Sequence, residues 1–295
     1  MFLCLIPFFL WVLMPKRVYP LHLRQQPNLF MFFQPNVLFQ LVFRRPYGIH
    51  SPFLFDLANA CIFANKPEAA FRIIENKRKE LLRDNTILQI TDFGQGPRKG
   101  NPPAVASPAT YKRSVRSIAR NSLQTPGYCR LLWRLIQHFK PQNILELGTS
   151  LGLTTSYMAL AMPHGRVFSI EGCPRTAAKA KELWEIMGIS NISLQSGSFG
   201  NTLPGVLSQI QKVDFVYIDG GHSFSGVMDV FAKISPYLHR HSVLVIDDIR
   251  WSAEMTKAWL EITANPTTTM SLDLYRMGIS FCNPGLSKQI IPVGY

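Results

Sequence analysis

From residue 142 onward the chain alternates between short apolar runs and longer amphipathic ones, and no other feature limits its fold so tightly. NILELG, RVFSIEG, ISLQSG, VDFVYIDGG and VLVIDD read as strands. TTSYMALAM, RTAAKAKELWEIMG, TLPGVLSQI, GVMDVFAKISPYL and AEMTKAWLEITAN read as the helices between and after them. Strands that are apolar throughout, rather than at every second residue, must be covered on both faces. Strand–helix alternation of this kind predicts a parallel sheet with helices on either side. The tail, TTMSLDLYRMGISFC and SKQIIPV, reads as two further strands, the chain ending on an antiparallel pair. The expectation is an α/β, doubly wound, mostly parallel sheet of seven strands with an antiparallel last strand.

The first half of the chain obeys no such rhythm. Its segments SPFLFDLANACIF, PEAAFRIIENKRKELLRD, SVRSIARN and GYCRLLWRLIQHF read as helices, and TILQITDFG as a strand. GQGPRKGNPPAVASPATYKR is rich in Pro, Gly and basic residues and reads as a flexible loop. Three regions follow: an arm over 1–47, an N-terminal helical extension or cap over 48–124, and a ligand-binding domain over 125–295. Position and charge predict that the helices of residues 48–140 form a lid, with the basic loop of residues 98–120 closing over an acidic substrate.

The net charge of +13 is concentrated in this first half: residues 1–140 carry +14 and residues 141–295 carry −1. Bare basic charge is weak evidence for a nucleic-acid partner, and the chain has no RNA-binding signature and no zinc-ligand spacing. The five cysteines, Cys4, Cys61, Cys129, Cys173 and Cys282, are scattered and form no CxxC pair. That favours free thiols in a reducing, cytoplasmic setting. The opening run MFLCLIPFFLWVLM has 14 residues, short of the roughly 20 that a membrane span needs. Its charges, Lys16 and Arg17, follow the run, unlike those of a secretory signal. Residues 1–17 read as a peripheral membrane anchor, as a loosely packed extension, or as the product of an upstream start codon with Met31 the alternative.

Two stretches carry chemistry. In ILELGTSLGLTT, Gly148 and Gly152 flank Thr149 and Ser150 between a strand and a helix. Glycines there allow a tight turn and a close approach to a ligand, beside the free N–H groups of a helix start. The spacing is GxxxG, which argues against a GxGxxG dinucleotide site. Glu171, followed by Gly172, closes the second strand, where a carboxylate can accept from both hydroxyls of a ribose. Gly197 and Ser198 end the third strand, where an adenine edge could lie.

The other stretch is the pair VDFVYIDGGH and VLVIDDIRW. Asp219 ends the fourth strand, with His222 three residues on, and Asp247 and Asp248 end the fifth. In the expected sheet all three carboxylates meet at one edge. Converging carboxylates need a cation, a proton or strong hydrogen-bond donors. An oxygen-rich ligand set suits Mg²⁺ or another hard divalent ion.

ILELGTSLG and SIEG resemble the first two motifs of the class I S-adenosylmethionine-dependent methyltransferases. The resemblance spans roughly residues 125–295, where the order of elements also fits, and implies a Rossmann-like fold. It implies that S-adenosyl-L-methionine lies with its methionine part beside Glu146 and Gly148, its ribose on Glu171 and its adenine near Ser198. Residues 197–199, Gly-Ser-Phe, depart from the acidic residue that many relatives have there. The second pair of stretches is similar to the catechol-type, metal-dependent O-methyltransferases, whose fifth strand ends Asp-Asn and whose catalytic lysine follows the first Asp by three residues. Here the pair is Asp247–Asp248 and His222 has the lysine's position. The chain is also like a broader group of bacterial methyltransferases with an Asp-Gly-x-His stretch.

These readings predict methylation of a small-molecule hydroxyl. His222 and Asp219 are the catalytic pair, with histidine a residue type suited to general-base work near neutrality. A metal is expected on Asp219, Asp247 and Asp248, and Trp251 and Trp259 are expected to shape the acceptor pocket. One alternative keeps the cofactor and drops the metal, leaving His222 as base. Another is a cofactor-binding module docking on RNA or membrane, although an acidic edge repels phosphates. The acceptor and the oligomeric state are not legible.

Overall fold

Val243–Ile246 is buried along its whole length, as are the adjacent strand Phe215–Ile218 and most of the next one, Asn143–Leu147, and around these three strands the molecule is organised. A computed structural model describes residues 51–93 and 108–295. The arm over 1–47 and most of the basic loop lie outside the described residues.

In chain order, helix α1 (Pro52–Leu57) runs into a π-helical turn (Ala58–Ile62) and is followed by α2 (Ala69–Leu81). Strands β1 (Ile87–Asp92) and β2 (Ala109–Ser114) pair antiparallel in a separate two-stranded sheet. Helices α3 (Val115–Ser122) and α4 (Pro126–Phe139) lead to β3 (Asn143–Leu147). The alternating part continues as α5 (Leu153–Ala161), β4 (Arg166–Glu171), α6 (Pro174–Met187), β5 (Ile192–Ser196), α7 (Phe199–Leu207) and β6 (Phe215–Ile218). After it come α8 (Phe224–Ile234), β7 (Val243–Ile246) and α9 (Ala253–Ala264). Strands β8 (Met270–Asp273), β9 (Gly278–Phe281) and β10 (Gln289–Pro292) close the chain.

The main sheet has the order β10-β8-β9-β7-β6-β3-β4-β5. Strands β3 to β7 pair parallel, and β9 runs antiparallel to both β7 and β8. The expected antiparallel strand is therefore β9, held between β7 and β8. An eighth strand, β10, lies parallel at the edge. Alternate residues of each central strand serve different cores, because both faces are covered. Ile144, Phe215, Tyr217, Val243 and Val245 join the core that contains α4, α5 and α6. Leu145, Val216, Ile218, Leu244 and Ile246 join the core formed with α7, α8 and α9.

Two sequence expectations change here. TTMSLDLYRMGISFC is a hairpin, not one strand. Its turn puts Tyr275 in the left-handed region (φ 68°) without a glycine. The turn is instead held by Asp273, whose carboxylate accepts the Tyr275 N–H at 2.8 Å, and by Leu274 N–H bonded to the Met277 carbonyl at 2.9 Å. The end of the basic loop, ATYKRS, is strand β2, secured to β1 by a Tyr111 hydroxyl bond to Asp92 at 3.0 Å.

The helices expected to form a lid are built into the fold. Leu54, Leu57 and Ile74 share the first core with Leu131, Leu132, Leu135 and Ile136 of α4, all buried. This part of the chain reaches the edge that carries the site through Gln124, just before α4, and through Phe93, whose ring lies against Gly172.

Candidate active site

The C-terminal ends of β3, β4, β6 and β7 carry the residues singled out from sequence. After β3 the chain turns through Gly148 (φ 104°), Ser150 (φ 50°) and Gly152 (φ 78°), three left-handed residues in five. A Cβ on Gly148 would stand 2.0 Å from the Asp219 carbonyl oxygen, and one on Gly152 would meet Ala180 and Trp184 at 2.8 Å. These glycines let neighbouring chain segments close on the turn. They bring the strand ends carrying Gly148 and Asp219 into contact, an arrangement that Asp219 N–H reinforces by donating to the Leu147 carbonyl at 2.8 Å.

Glu171 is preset by this turn. One carboxylate oxygen accepts Ser150 N–H at 2.7 Å, and the other accepts Cys173 N–H at 2.9 Å and the Thr176 hydroxyl at 3.1 Å. Burial pushes its pKa up, while those donors pull it back. Gly197 N–H donates to the Glu171 carbonyl at 2.9 Å, tying the end of β5 to the same edge. Gly197 (φ 148°) sits close to Thr202, and Ser198 is the N-cap residue of α7. Gly172 lies under the Phe93 ring, which a Cβ there would approach to 3.0 Å.

Glu146 and Thr149 lie deeper. Glu146 accepts hydroxyl bonds from Thr155, at 2.6 Å, and from Ser169, which is also bonded to the Thr149 hydroxyl at 2.5 Å. Its other oxygen is buried with no partner among the described residues. Burial raises the Glu146 pKa to about 7 against the pull of Ser169 and Thr155.

At the other end of the edge the expected trio of Asp219, Asp247 and Asp248 divides. Asp247 is 1% exposed and faces inward. It accepts from the Gln124 amide, from the Tyr217 hydroxyl at 3.2 Å and from the Asp248 N–H at 2.9 Å. Asp248 takes a left-handed conformation (φ 53°), which turns the chain after β7. One ligand-capable atom from each of Asp219, His222 and Asp248 lies within 4.8 Å of the others, the only such group among the described residues. The structure thus brings His222 into the set and engages Asp247 elsewhere. An open set of two carboxylates and an imidazole fits a divalent ion.

The charges are answered by groups that sequence reasoning missed. Arg276, in the β8–β9 turn, has its Nε 3.1 Å from Asp248 and 3.5 Å from Asp247. The Tyr217 hydroxyl lies 3.2 Å from both Asp219 and Asp247. Burial and the Asp248 charge raise the Asp219 pKa to about 7. Burial, Asp219 and Asp248 hold Asp247 well above the usual carboxylate range. Burial works against the charge on Arg276, but Asp247, Asp248 and Asp219 outweigh it and raise its pKa. Tyr217 was legible only as an apolar position of the fourth strand, and Arg276 was lost inside a segment read as one strand.

The two tryptophans part company. Trp251 is 67% exposed, with its ring centroid 6.1 Å from that of His222. Trp259 is buried against Gly278 and packs the core, so it shapes no acceptor pocket. The His222 ring is partly exposed, and its Nδ1 is buried without a partner among the described residues.

Comparison with known proteins bears on this edge directly. Residues 145–249 match the family model of a methyltransferase domain. Over 94 residues the chain is 36% identical to the transmembrane O-methyltransferase of Homo sapiens, a stretch covering 30% of this chain and 32% of that protein. Over 98 residues it is 33% identical to the catechol O-methyltransferase of Niastella koreensis, covering 32% of this chain and 44% of that one. The chain thus spans less than half the length of these relatives. Among solved structures, the O-methyltransferase TomG from Streptomyces achromogenes, in complex with SAM, superposes with a TM-score of 0.53 at 14% identity, covering 85% of this chain and 100% of that one. At that identity the likeness is one of fold.

Proposed function

We propose that this chain is a class I S-adenosylmethionine-dependent methyltransferase and that it methylates a hydroxyl oxygen of a small molecule. The observation that carries the reading is the convergence of Asp219, His222 and Asp248 at the sheet edge that also bears the Gly148–Gly152 turn. The names of the relatives, both O-methyltransferases, support an oxygen acceptor.

Glu146, Gly148, Thr149, Ser150, Gly152, Glu171, Gly172, Gly197, Ser198 and Asp219 would hold the cofactor. Two features suit it. Glu171 is already oriented by N–H donors, and the oxygen that accepts Ser150 N–H keeps acceptor capacity for a ribose hydroxyl. The unpartnered oxygen of Glu146 awaits a donor such as an ammonium group. S-adenosylmethionine, when bound, supplies a sulfonium methyl already activated for transfer. The protein's work is alignment and deprotonation. His222 takes the proton of the acceptor hydroxyl, which Asp219 and Asp248 orient; a divalent ion held by those carboxylates would supply further acidification of that hydroxyl. Trp251, exposed beside His222, offers a flat apolar wall to the acceptor. A second reading omits the ion and leaves His222 as base alone, favoured by the guanidinium of Arg276 already paired with Asp247 and Asp248.

Among the described residues no helix is long and apolar enough to cross a membrane. We infer a cytoplasmic setting from the cysteine pattern, with residues 1–17 as a peripheral membrane attachment. Flotation of the full chain with vesicles, against a chain lacking those residues, tests the attachment.

Calorimetric titration with S-adenosylmethionine tests the central reading. Saturable binding is expected, and turnover with a phenolic acceptor should follow, measured with Mg²⁺ and with EDTA. Absence of binding at millimolar cofactor sinks it.

A further inference from the structure

Two adjacent carboxylates at the end of a buried strand must be neutralised, and the neutralising group is built into the fold. Arg276 Nε reaches both Asp247 and Asp248, at 3.5 and 3.1 Å. The guanidinium does not hang from a free tether. Arg276 N–H donates to the Leu274 carbonyl at 2.8 Å, and Ile249 N–H donates to the Arg276 carbonyl at 2.9 Å. The turn that carries it is therefore stitched to the segment that carries Asp248. Arg250 secures the same turn from outside, pairing with Asp273 and donating to the Tyr275 carbonyl at 2.9 Å.

We propose that Arg276 is a positioning residue, the resident counter-ion of the Asp247–Asp248 pair, and that it sets how strongly the Asp219 and Asp248 carboxylates, beside His222, take up a divalent cation. Asp247 is occupied by Gln124, Tyr217 and the Asp248 N–H, which leaves Asp248 as the carboxylate shared between guanidinium and ion. A positive charge 3.1 Å from a ligand carboxylate opposes a second positive charge on that carboxylate. The Arg276 side chain is 39% exposed, so solvent screens this opposition without cancelling it. The chain thus carries one cation of its own where the metal-dependent reading calls for an added one. The inference rests on the proposed function for the meaning of the site, but its test does not need turnover.

The full chain is titrated with Mn²⁺, followed by paramagnetic resonance, in the wild type, Arg276→Gln and Arg276→Lys. Arg276→Gln is expected to bind Mn²⁺ about tenfold more tightly than the wild type, and Arg276→Lys to stay within about threefold of it. With EDTA present, Arg276→Gln should melt below the wild type and recover on adding Mg²⁺. Equal or weaker Mn²⁺ binding in Arg276→Gln overturns the proposal, as does a lysine variant that behaves like the glutamine one. The wild type provides a test that needs no variant to fold. Its Arg276 guanidinium signals should stay unbroadened by micromolar Mn²⁺. Broadening at that concentration overturns the proposal. Loss of cofactor binding with the Mn²⁺ shift intact would instead remove the methyltransferase reading and leave the role of Arg276 standing.

Discussion

The two halves of the ligand edge are built by different means. The half around Gly148 and Glu171 comes from consecutive turns that follow β3, β4 and β5, and its contacts are mostly backbone N–H bonds between segments within about 26 positions of one another. The half around Asp219 and Asp248 is assembled from Gln124, Tyr217, His222, Asp247 and Arg276, with Gln124 and Asp247 123 positions apart. Backbone contacts do not depend on side-chain identity and tolerate substitution. A charge cluster assembled from distant segments depends on each of its members. The first half is suited to holding a ligand of constant shape, and the second to chemistry that varies with one or two side chains.

That contrast can be broken from either end. The largest effect is expected from His222→Ala, which should lower kcat about 100-fold or more, the usual worth of a general base, while calorimetry finds cofactor affinity unchanged. Equal losses in both would merge the two halves into one. Next is Gly148→Ala, which pushes a Cβ to 2.0 Å from the Asp219 carbonyl at a residue with φ 104°. It should cost about 2–3 kcal/mol in denaturant unfolding and move Asp219 as well, since this is where the halves touch. A stability change under about 0.5 kcal/mol, the scatter of ordinary surface substitutions, would show that the turn is not rigid. Glu171→Gln sets an amide N–H₂ against N–H donors and should weaken cofactor binding by about 1.5–3 kcal/mol. At saturating cofactor its kcat should stay near that of the wild type, and a kcat loss matching the affinity loss would contradict the division.

The smallest effect is a pH dependence. The folded-state pKa of Glu146 is raised by burial from 4.5 to about 7. Its contribution to stability is therefore present below pH 4.5 and is lost as pH rises through about 7. Glu146→Gln keeps a hydroxyl acceptor and removes the ionisation. The melting temperature of the variant relative to wild type should climb across that window and then level off. Parallel curves would mean that Glu146 is not desolvated in the folded protein.

Much of the first half was legible because its signals are contiguous. Gly148, Gly152 and Glu171 stand at ends of apolar runs, and run ends on a parallel sheet share an edge. What the glycines accommodate was not legible: their space is taken by Asp219, Ala180 and Trp184, contacts made across the fold. In the second half the carboxylates were visible, but not their partners. Arg276 stood in a segment whose hairpin turn lacks the usual glycine, since Asp273 and Arg250 hold Tyr275 in its place. Gln124 precedes a helix, with nothing nearby to mark its reach to Asp247.

By itself the sequence determined the layers, because apolar strands separated by amphipathic helices have only one way to be covered on both faces. It determined too that Asp219, Asp247 and Asp248 end neighbouring strands. Only the tertiary structure decided which of them face the ligand edge. Asp247 and Asp248 are adjacent, and their fates separate through a left-handed turn at Asp248 and through Gln124, Tyr217 and Arg276 arriving from distant segments. Side-chain direction and charge balance at a strand end depend on what packs against it, and no local pattern encodes that.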